Sequence, residues 1–347
     1  MPGVPSLGLR RHRGRRSART SAWWDVPLRQ RHGRAICSVL PSTSAATSTI
    51  ESWDVGQRTW CAVTGVPFRW DLVTPDQLGS LLEGVPEPPL PFGPELARCS
   101  GQVVARSGNG DLVFIGRSLD SMYDLLSGAL SAVQDAPALY RVPLSFARDW
   151  AGRSRRTLTA SELQVARGVL EAAGCTPMAL VRRSSPLTFV DVAHTGGTFG
   201  DLYELIRDWV AEDRAPWSVA RTKVRFVGVT SRKKTSPNTV RWAQQQLWTS
   251  ELPARSVLSV SLEPQVWSYF GDHQVKLTRS WAPSWWLAEQ GGPGRDERTR
   301  TALAEAVAIV AYGRGRDGRQ RIANAMAGEP ALAESWLRRL RSALLSS

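Results

Sequence analysis

One aspartate, two glycines and two threonines occur within eight consecutive residues, at a spacing that suits a phosphorylated sugar. Gly196 and Gly197 lack a Cβ atom, so backbone N–H groups there can approach a phosphate closely. Thr195 and Thr198 add hydroxyl donors on either side of the glycines. Asp191 stands just upstream, where its carboxylate can accept hydrogen bonds from vicinal sugar hydroxyls. These residue types predict an anion-binding loop with a carboxylate at its edge.

A second polar loop lies some 75 residues upstream and contains Gly116, Arg117 and Ser118. The glycine permits an unusual backbone conformation, and a guanidinium can hold phosphate oxygens through two parallel hydrogen bonds. We expect Ser118, Asp120 or Ser121 to cap the helix that follows. The second loop therefore predicts another phosphate contact.

Both loops follow apolar runs that have the composition of buried strands, at 112–115 and 187–192. An amphipathic helix is predicted over 199–210, directly after the glycines. Other strands are predicted at 102–105, 138–144, 224–229, 256–262 and 274–277. Alternation of strands and helices predicts an α/β fold, with a mostly parallel twisted sheet flanked by helices. We expect the two loops to face one anion-sized hollow at the carboxyl ends of neighbouring strands.

Composition divides the chain into four parts. Residues 1–50 are predicted to be a disordered, Arg-rich extension, and residues 51–100 a lead-in segment with a Pro-rich linker. Residues 101–290 are predicted to form the α/β domain. Residues 295–347 show helical periodicity and are expected to be a helical appendage.

The positive charge is concentrated at the amino terminus. The net charge is +13, and residues 1–40 hold nine arginines and one aspartate, so they contribute 9 − 1 = +8 and the remainder only 13 − 8 = +5. Nucleic acid is therefore expected as a partner only through the basic arm. The arm could equally be a disordered extension without a role.

Other features of the composition suggest a cytoplasmic protein. No apolar stretch is long enough for a membrane helix, so we expect no membrane partner. The four cysteines lie at 37, 61, 99 and 175, a spacing that fits neither a metal site nor a disulfide framework. Seven of the fifteen tryptophans fall between 217 and 286. Core packing is the interpretation we favour for them, with an aromatic wall for a base or a partner as the alternative.

The run FVDVAHTGGT, residues 189–198, resembles the phosphoribosyl pyrophosphate (PRPP) motif of type I phosphoribosyltransferases. The resemblance implies a phosphoribosyltransferase-like fold and a PRPP ligand that is bound together with Mg²⁺. It also implies that Asp191 contacts the ribose hydroxyls, that Thr195–Thr198 hold the 5′-phosphate, and that Gly116–Ser118 contact the pyrophosphate. No metal ligand is predicted on the protein itself.

The sequence departs from the family pattern at two positions. Val190 replaces the first of the two acids, and His194 stands where purine-type members often have an acid. His194 could act as a general acid or base, or it could only line the loop. Lys233 follows the next strand and could contact a base, or it could belong to a solvated loop.

Two functions remain open from the sequence. The first is PRPP-dependent phosphoribosyl transfer, or its reverse, to a base or related nucleophile, with Arg117 stabilising the leaving pyrophosphate and Asp191 orienting the ribose. The second is a non-catalytic regulator of the same fold that senses PRPP or a nucleotide, which the loss of the first acid favours. Neither the acceptor nor the oligomeric state follows from the residues.

Overall fold

A computed structural model describes residues 65–146, 157–289 and 291–346 of the chain. The predicted basic extension at 1–50 lies outside these residues, as does the first part of the lead-in segment, 51–64.

Five parallel strands form the central sheet, so the predicted α/β fold with a parallel sheet is confirmed. Their order is β2-β1-β3-β4-β5, and the register pairs Phe114 with Val190 between β1 and β3. The strands are β1 (Leu112–Ile115), β2 (Leu139–Val142), β3 (Leu187–Val192), β4 (Val224–Ser231) and β5 (Val257–Leu262). Strand order changes direction between β1 and β3, which makes that boundary the topological switch point of the sheet.

Ten α-helices accompany the sheet in the described residues. They are α1 (Gly93–Arg106), α2 (Asp120–Leu130), α3 (Ala160–Ala172), α4 (Pro177–Arg182), α5 (Gly197–Glu212), α6 (Trp217–Ala220), α7 (Pro264–Ser268), α8 (Glu297–Arg314), α9 (Arg316–Ala327) and α10 (Ser335–Ser346).

Each face of the sheet has its own hydrophobic core, and the alternation of side chains along β1 shows the division. Val113 and Ile115 pack with the apolar faces of α3 and α5. Leu112 and Phe114 pack with α1, α2, α9 and α10 on the opposite face. The described residues therefore form a three-layer α/β structure in which β1 is fully buried.

The strand predicted at 102–105 is wrong, because these residues lie inside α1. Val103 and Val104 are β-branched neighbours and so resemble a short strand. Leu96 and Val103 are buried at helical spacing, however, and α1 begins at Gly93 with Pro94 in its first turn, where proline is well tolerated.

The strand predicted at 274–277 is also wrong, because the segment has no regular secondary structure. Its polar side chains are satisfied by other parts of the molecule rather than by a neighbouring strand. Gln274 donates to the Ser121 hydroxyl over 2.6 Å, and Lys276 donates to the Ser118 carbonyl over 3.1 Å. The segment therefore crosses the end of the sheet without joining it.

The carboxy-terminal helices are part of the main core rather than an appendage to it. Ile309, Met326 and Leu337 are buried in the same cluster as β1, α1 and α2. Helices α2 and α8 cross so closely that a Cβ atom at Gly313 would lie 2.1 Å from the Leu125 carbonyl oxygen. None of the helices in the described ranges is long and apolar enough to cross a membrane.

Candidate functional site

The two predicted loops leave the sheet from adjacent strands and at the same edge. β1 and β3 pair in parallel, with Leu112 beside Thr188 and Phe114 beside Val190. The loop that begins at Gly116 and the loop that follows Asp191 are therefore neighbours at the carboxyl ends of these strands. This is the position at which open α/β sheets bind their ligands.

The loop before α5 is held in place by an indole ring. Gly196 precedes α5 with φ at 80°, and a Cβ atom there would lie 2.4 Å from Cε3 of Trp242. Gln246 Nε2 also donates to the Thr195 carbonyl over 2.7 Å. The indole of Trp242 therefore occupies the space beside the Cα atom of Gly196, where the sequence predicted close approach of a phosphate.

Other residues of this loop are less buried than Gly196. His194 and Thr195 are exposed, and Gly197 and Thr198 are half-buried. They surround the amino terminus of α5, a sixteen-residue helix whose first N–H groups and dipole favour an anion.

Asp191 is buried at the end of β3, with 7% of its surface exposed. Its Oδ1 atom accepts from the backbone N–H of Val192 over 2.7 Å. Burial raises the pKa of Asp191 to about 8, although that hydrogen bond and the charge of Lys276 act in the opposite direction. A buried carboxyl group that holds its proton near neutral pH is characteristic of functional sites.

The surroundings of Val190 do not suit the first acid of the resembled motif. Successive side chains of a strand point to opposite faces. Val190 is fully buried in the core beside α1 and α2, whereas Phe189 packs in the core on the other face. A carboxylate at position 190 would enter an apolar core, which costs several kcal/mol unless it is paired.

Arg117 lines a cavity of about 920 Å³ on the same edge of the sheet. Its Nη1 atom donates to the carbonyl of Thr278 over 2.5 Å, and burial lowers the pKa of Arg117. Lys276 and Thr278 line the cavity with it, but none of residues 191–198 does. The structure thus does not bring Arg117 and the threonine-glycine loop into one cavity.

Lys276 was missed by the sequence analysis and lies beside both loops. Its Nζ atom donates to the carbonyl of Ser118 and, over 2.6 Å, to Oε1 of Gln274. Burial lowers the pKa of Lys276 to about 8. Its charge also acts on Asp191. The only feature of the sequence that sets Lys276 apart is that lysine is rare, since few of the 44 basic residues are lysines.

Helix α2, which follows the Gly116 loop, is not capped by a side chain, so the predicted cap at Ser118, Asp120 or Ser121 is wrong. The residue before α2 is Leu119, and it makes no side-chain cap hydrogen bond. Asp120 is instead buried in an ion pair with Arg141, with the charged atoms 3.0 Å apart. Gly116 has φ at 67°, so the turn after β1 does use the conformation that favours glycine.

A second buried ion pair supports the same helix. Arg69 contacts Asp124 over 2.5 Å, and both side chains are almost fully buried. Tyr123 lies between the pairs, with the guanidinium carbons of Arg69 and Arg141 each 5.8 Å from its ring centre. The network fixes α2 beneath the Gly116 loop.

Lys233 and His194 lie in the loops that follow β4 and β3. Lys233 is exposed in the loop after β4, where its backbone N–H donates to the Asn238 carbonyl over 3.0 Å. The ring centre of His194 lies 6.4 Å from that of Trp267. Both loops follow strands at the same edge of the sheet, since β4 pairs with β3.

The side chains at the carboxyl ends of β1 and β3 do not fit the ligand requirements of Mg²⁺. Mg²⁺ prefers several oxygen ligands in octahedral geometry, whereas Asp191 is a single buried carboxyl with a raised pKa and the Lys276 charge nearby. No group of three or more His, Cys, Asp or Glu side chains in the described parts of the chain could hold a metal ion.

Comparison with known proteins gave no relative. No protein-family model matched the chain, and no similar protein was found among curated proteins or solved structures.

Proposed function

We propose that the chain binds PRPP at the carboxyl ends of β1 and β3 and transfers its phosphoribosyl group to a nucleophile. The observation that supports this proposal most directly is the adjacency of the two loops at the switch point. Lys276 and Asp191, between those loops, supply one cation and one carboxyl group. PRPP carries anionic groups at both ends of a ribose, and the site offers partners of matching types.

In the proposed complex, the 5′-phosphate occupies the amino terminus of α5, near Thr195 and Thr198. Asp191 accepts hydrogen bonds from the ribose hydroxyls through its carboxyl oxygens. Arg117 and Lys276 face the pyrophosphate. The nucleophile forms its bond to C1 of the ribose as the bond from C1 to pyrophosphate breaks, and the two cations stabilise the departing negative charge.

Sensing of PRPP without transfer is the second candidate, and Val190 favours it. A buried valine takes the position of the first acid, so the site has one carboxyl group where the resembled family has two. Such a chain would hold the ligand and signal its presence to a partner.

Titration calorimetry with PRPP and Mg²⁺, followed by an assay for pyrophosphate release with a panel of bases, separates the candidates. Transfer predicts binding and base-dependent release. We expect Asp191→Asn to weaken PRPP binding at least about tenfold, a loss of about 1.4 kcal/mol. Asp213→Asn makes the same side-chain replacement at an exposed position after α5 and should leave binding unchanged.

The outcomes are distinct. Binding without release for any base would favour the sensor over the transferase. A folded protein that shows neither binding nor release would contradict both functions. Equal losses in Asp191→Asn and Asp213→Asn would show that Asp191 is not part of the ligand site.

A further inference from the structure

The cavity beside Arg117 has the size of a ligand site, yet it does not include the threonine-glycine loop. Its volume of about 920 Å³ lies within the range of small-molecule sites, roughly 300–1,000 Å³. Its inner wall consists of Arg117, Gln274, Lys276 and Thr278, which are half-buried or buried. Its mouth carries exposed aromatic and charged side chains.

The inner wall is suited to an anion. Arg117 and Lys276 lie close enough for the charge of Arg117 to act on the amine of Lys276. The hydroxyl of Thr278 is buried and has no hydrogen-bond partner among the described residues. The charge of nearby Asp120 acts on both cations, but its carboxylate is hydrogen-bonded to Arg141 and makes no ion pair with either of them in the described residues. Two cations and a hydroxyl of this kind are the groups that bind an anion in proteins.

The mouth is suited to an aromatic ring. Phe68 and Trp70 stand edge to face, with ring centres 5.3 Å apart, and Trp285 lines the same cavity. Phe68 is 46% exposed and Trp285 56% exposed, which is unusual for side chains of this size. Exposed aromatic rings beside bound anions are the usual surfaces on which nucleobases stack.

The carboxylates at the mouth limit how much negative charge the ligand can carry. Asp272, Glu289 and Asp296 line the rim and are exposed. Asp296 is used to cap α8, since its Oδ1 atom accepts from the Thr299 N–H over 2.9 Å. A second or third phosphate at the mouth would meet these carboxylates, although the exposed Arg279 and Arg298 offset part of their charge.

We propose that this cavity binds a nucleoside monophosphate, with its phosphate on Arg117, Lys276 and the Thr278 hydroxyl and its base against the aromatic side chains of the mouth. This site overlaps the proposed PRPP site at the cations Arg117 and Lys276, but neither Asp191 nor the amino terminus of α5 lines the cavity. Nucleotide binding can therefore hold whether or not the chain transfers a phosphoribosyl group.

The test is a titration of the full chain with AMP and with UMP, in which binding is measured by tryptophan fluorescence and by calorimetry. Adenosine and ribose 5-phosphate are titrated as the two halves of the ligand. We expect a nucleotide to bind at least about tenfold more tightly than either half, because base and phosphate contact different walls. Fluorescence should be quenched, since the base would stack on tryptophan.

Two variants probe the two walls. Trp285→Ala should weaken nucleotide binding at least about fivefold and leave ribose 5-phosphate unaffected, because loss of one stacking partner is worth about 1–3 kcal/mol. Lys276→Met should weaken nucleotide and ribose 5-phosphate alike. Leu247→Ala and Arg255→Ala are the matched controls, since both side chains are exposed and lie outside the cavity.

The proposal is overturned if neither nucleotide binds to the folded chain at about 1 mM. It is also overturned if ribose 5-phosphate binds as tightly as AMP and UMP do, or if Trp285→Ala binds nucleotide like the unmodified chain. Should Lys276→Met fail to fold, Trp285→Ala and the two half-ligands still decide the question. Loss of PRPP binding in Asp191→Asn with intact nucleotide binding would show that the two sites are distinct.

Discussion

At the scale of single residues, the burial of Asp191 has a measurable consequence for stability. Its pKa is raised to about 8 by burial, so the folded chain holds this proton more tightly than the unfolded chain does. The stability contributed by the protonated carboxyl is full below the unfolded pKa near 4 and is lost as the pH rises through 8.

We therefore expect Asp191→Asn to become progressively more stable relative to the unmodified chain as the pH rises. Between pH 5 and 7.5 the difference in unfolding free energy should change by roughly 2–3 kcal/mol, since one pKa unit corresponds to about 1.4 kcal/mol. Urea unfolding of both proteins at a series of pH values measures the change. A difference that stays constant with pH would mean that the carboxyl is ionised throughout.

Lys276 is a residue whose place at the site could not be predicted from the sequence. Asp191 and Arg117 were identified because each follows an apolar run that predicts a strand, and the end of a parallel strand is a favoured site position. Lys276 belongs to a segment without regular structure that reaches Ser118 across 158 positions of sequence. Only the folded chain brings them together, so no local pattern could indicate it.

At the scale of elements, Gly196 connects the fold to the site. Its positive φ and its contact with Trp242 both exclude a side chain. The sequence predicted a glycine there for close approach of a phosphate, whereas the structure shows an indole in that space. The same residue type thus satisfied the motif for a different physical reason, which the spacing alone could not distinguish.

Gly196→Ala should destabilise the chain by roughly 2–4 kcal/mol. About 1–2 kcal/mol comes from placing a Cβ atom in the left-handed region, and the rest from displacing Trp242. Gly271→Ala is the control, because a Cβ atom there meets nothing within 4 Å. Chemical denaturation measures both, and a loss below about 1 kcal/mol in Gly196→Ala would mean that the loop can rearrange freely.

The strands of the sheet could be predicted because apolar runs bounded by polar residues are distinctive in buried parallel sheets. The predictions at 112–115 and 187–192 match β1 and β3. Prediction failed at 102–105, where two valines resemble a strand but belong to the fourteen-residue helix α1. Tertiary packing decided that case, since β propensity is weak evidence in a short run.

At the scale of the whole molecule, the carboxy-terminal helices matter more than their periodicity suggested. Helices α8, α9 and α10 cover one face of the sheet together with α1 and α2. A sequence can indicate that a segment is helical and amphipathic, but it does not say which surface the apolar side will cover. The hydrophobic core therefore shows no boundary between the predicted α/β domain, 101–290, and the predicted helical appendage, 295–347.

We therefore expect that a chain without residues 295–347 does not fold. It would expose the buried faces of α1 and α2, including Val104 and Leu125. We expect loss of the cooperative unfolding transition, measured by circular dichroism during heating. A chain without residues 1–45 is the comparison, and from the sequence we expect it to keep PRPP binding. Cooperative unfolding of the chain that ends at 294 would contradict the shared core.

The central claim is that the ends of β1 and β3 form one site for PRPP, and a crystal structure of the chain with PRPP tests it most directly. We predict the 5′-phosphate at the amino terminus of α5, the ribose hydroxyls at Asp191, and the pyrophosphate at Arg117 and Lys276. PRPP bound elsewhere on the molecule, or with its 5′-phosphate away from residues 195–198, would contradict the claim.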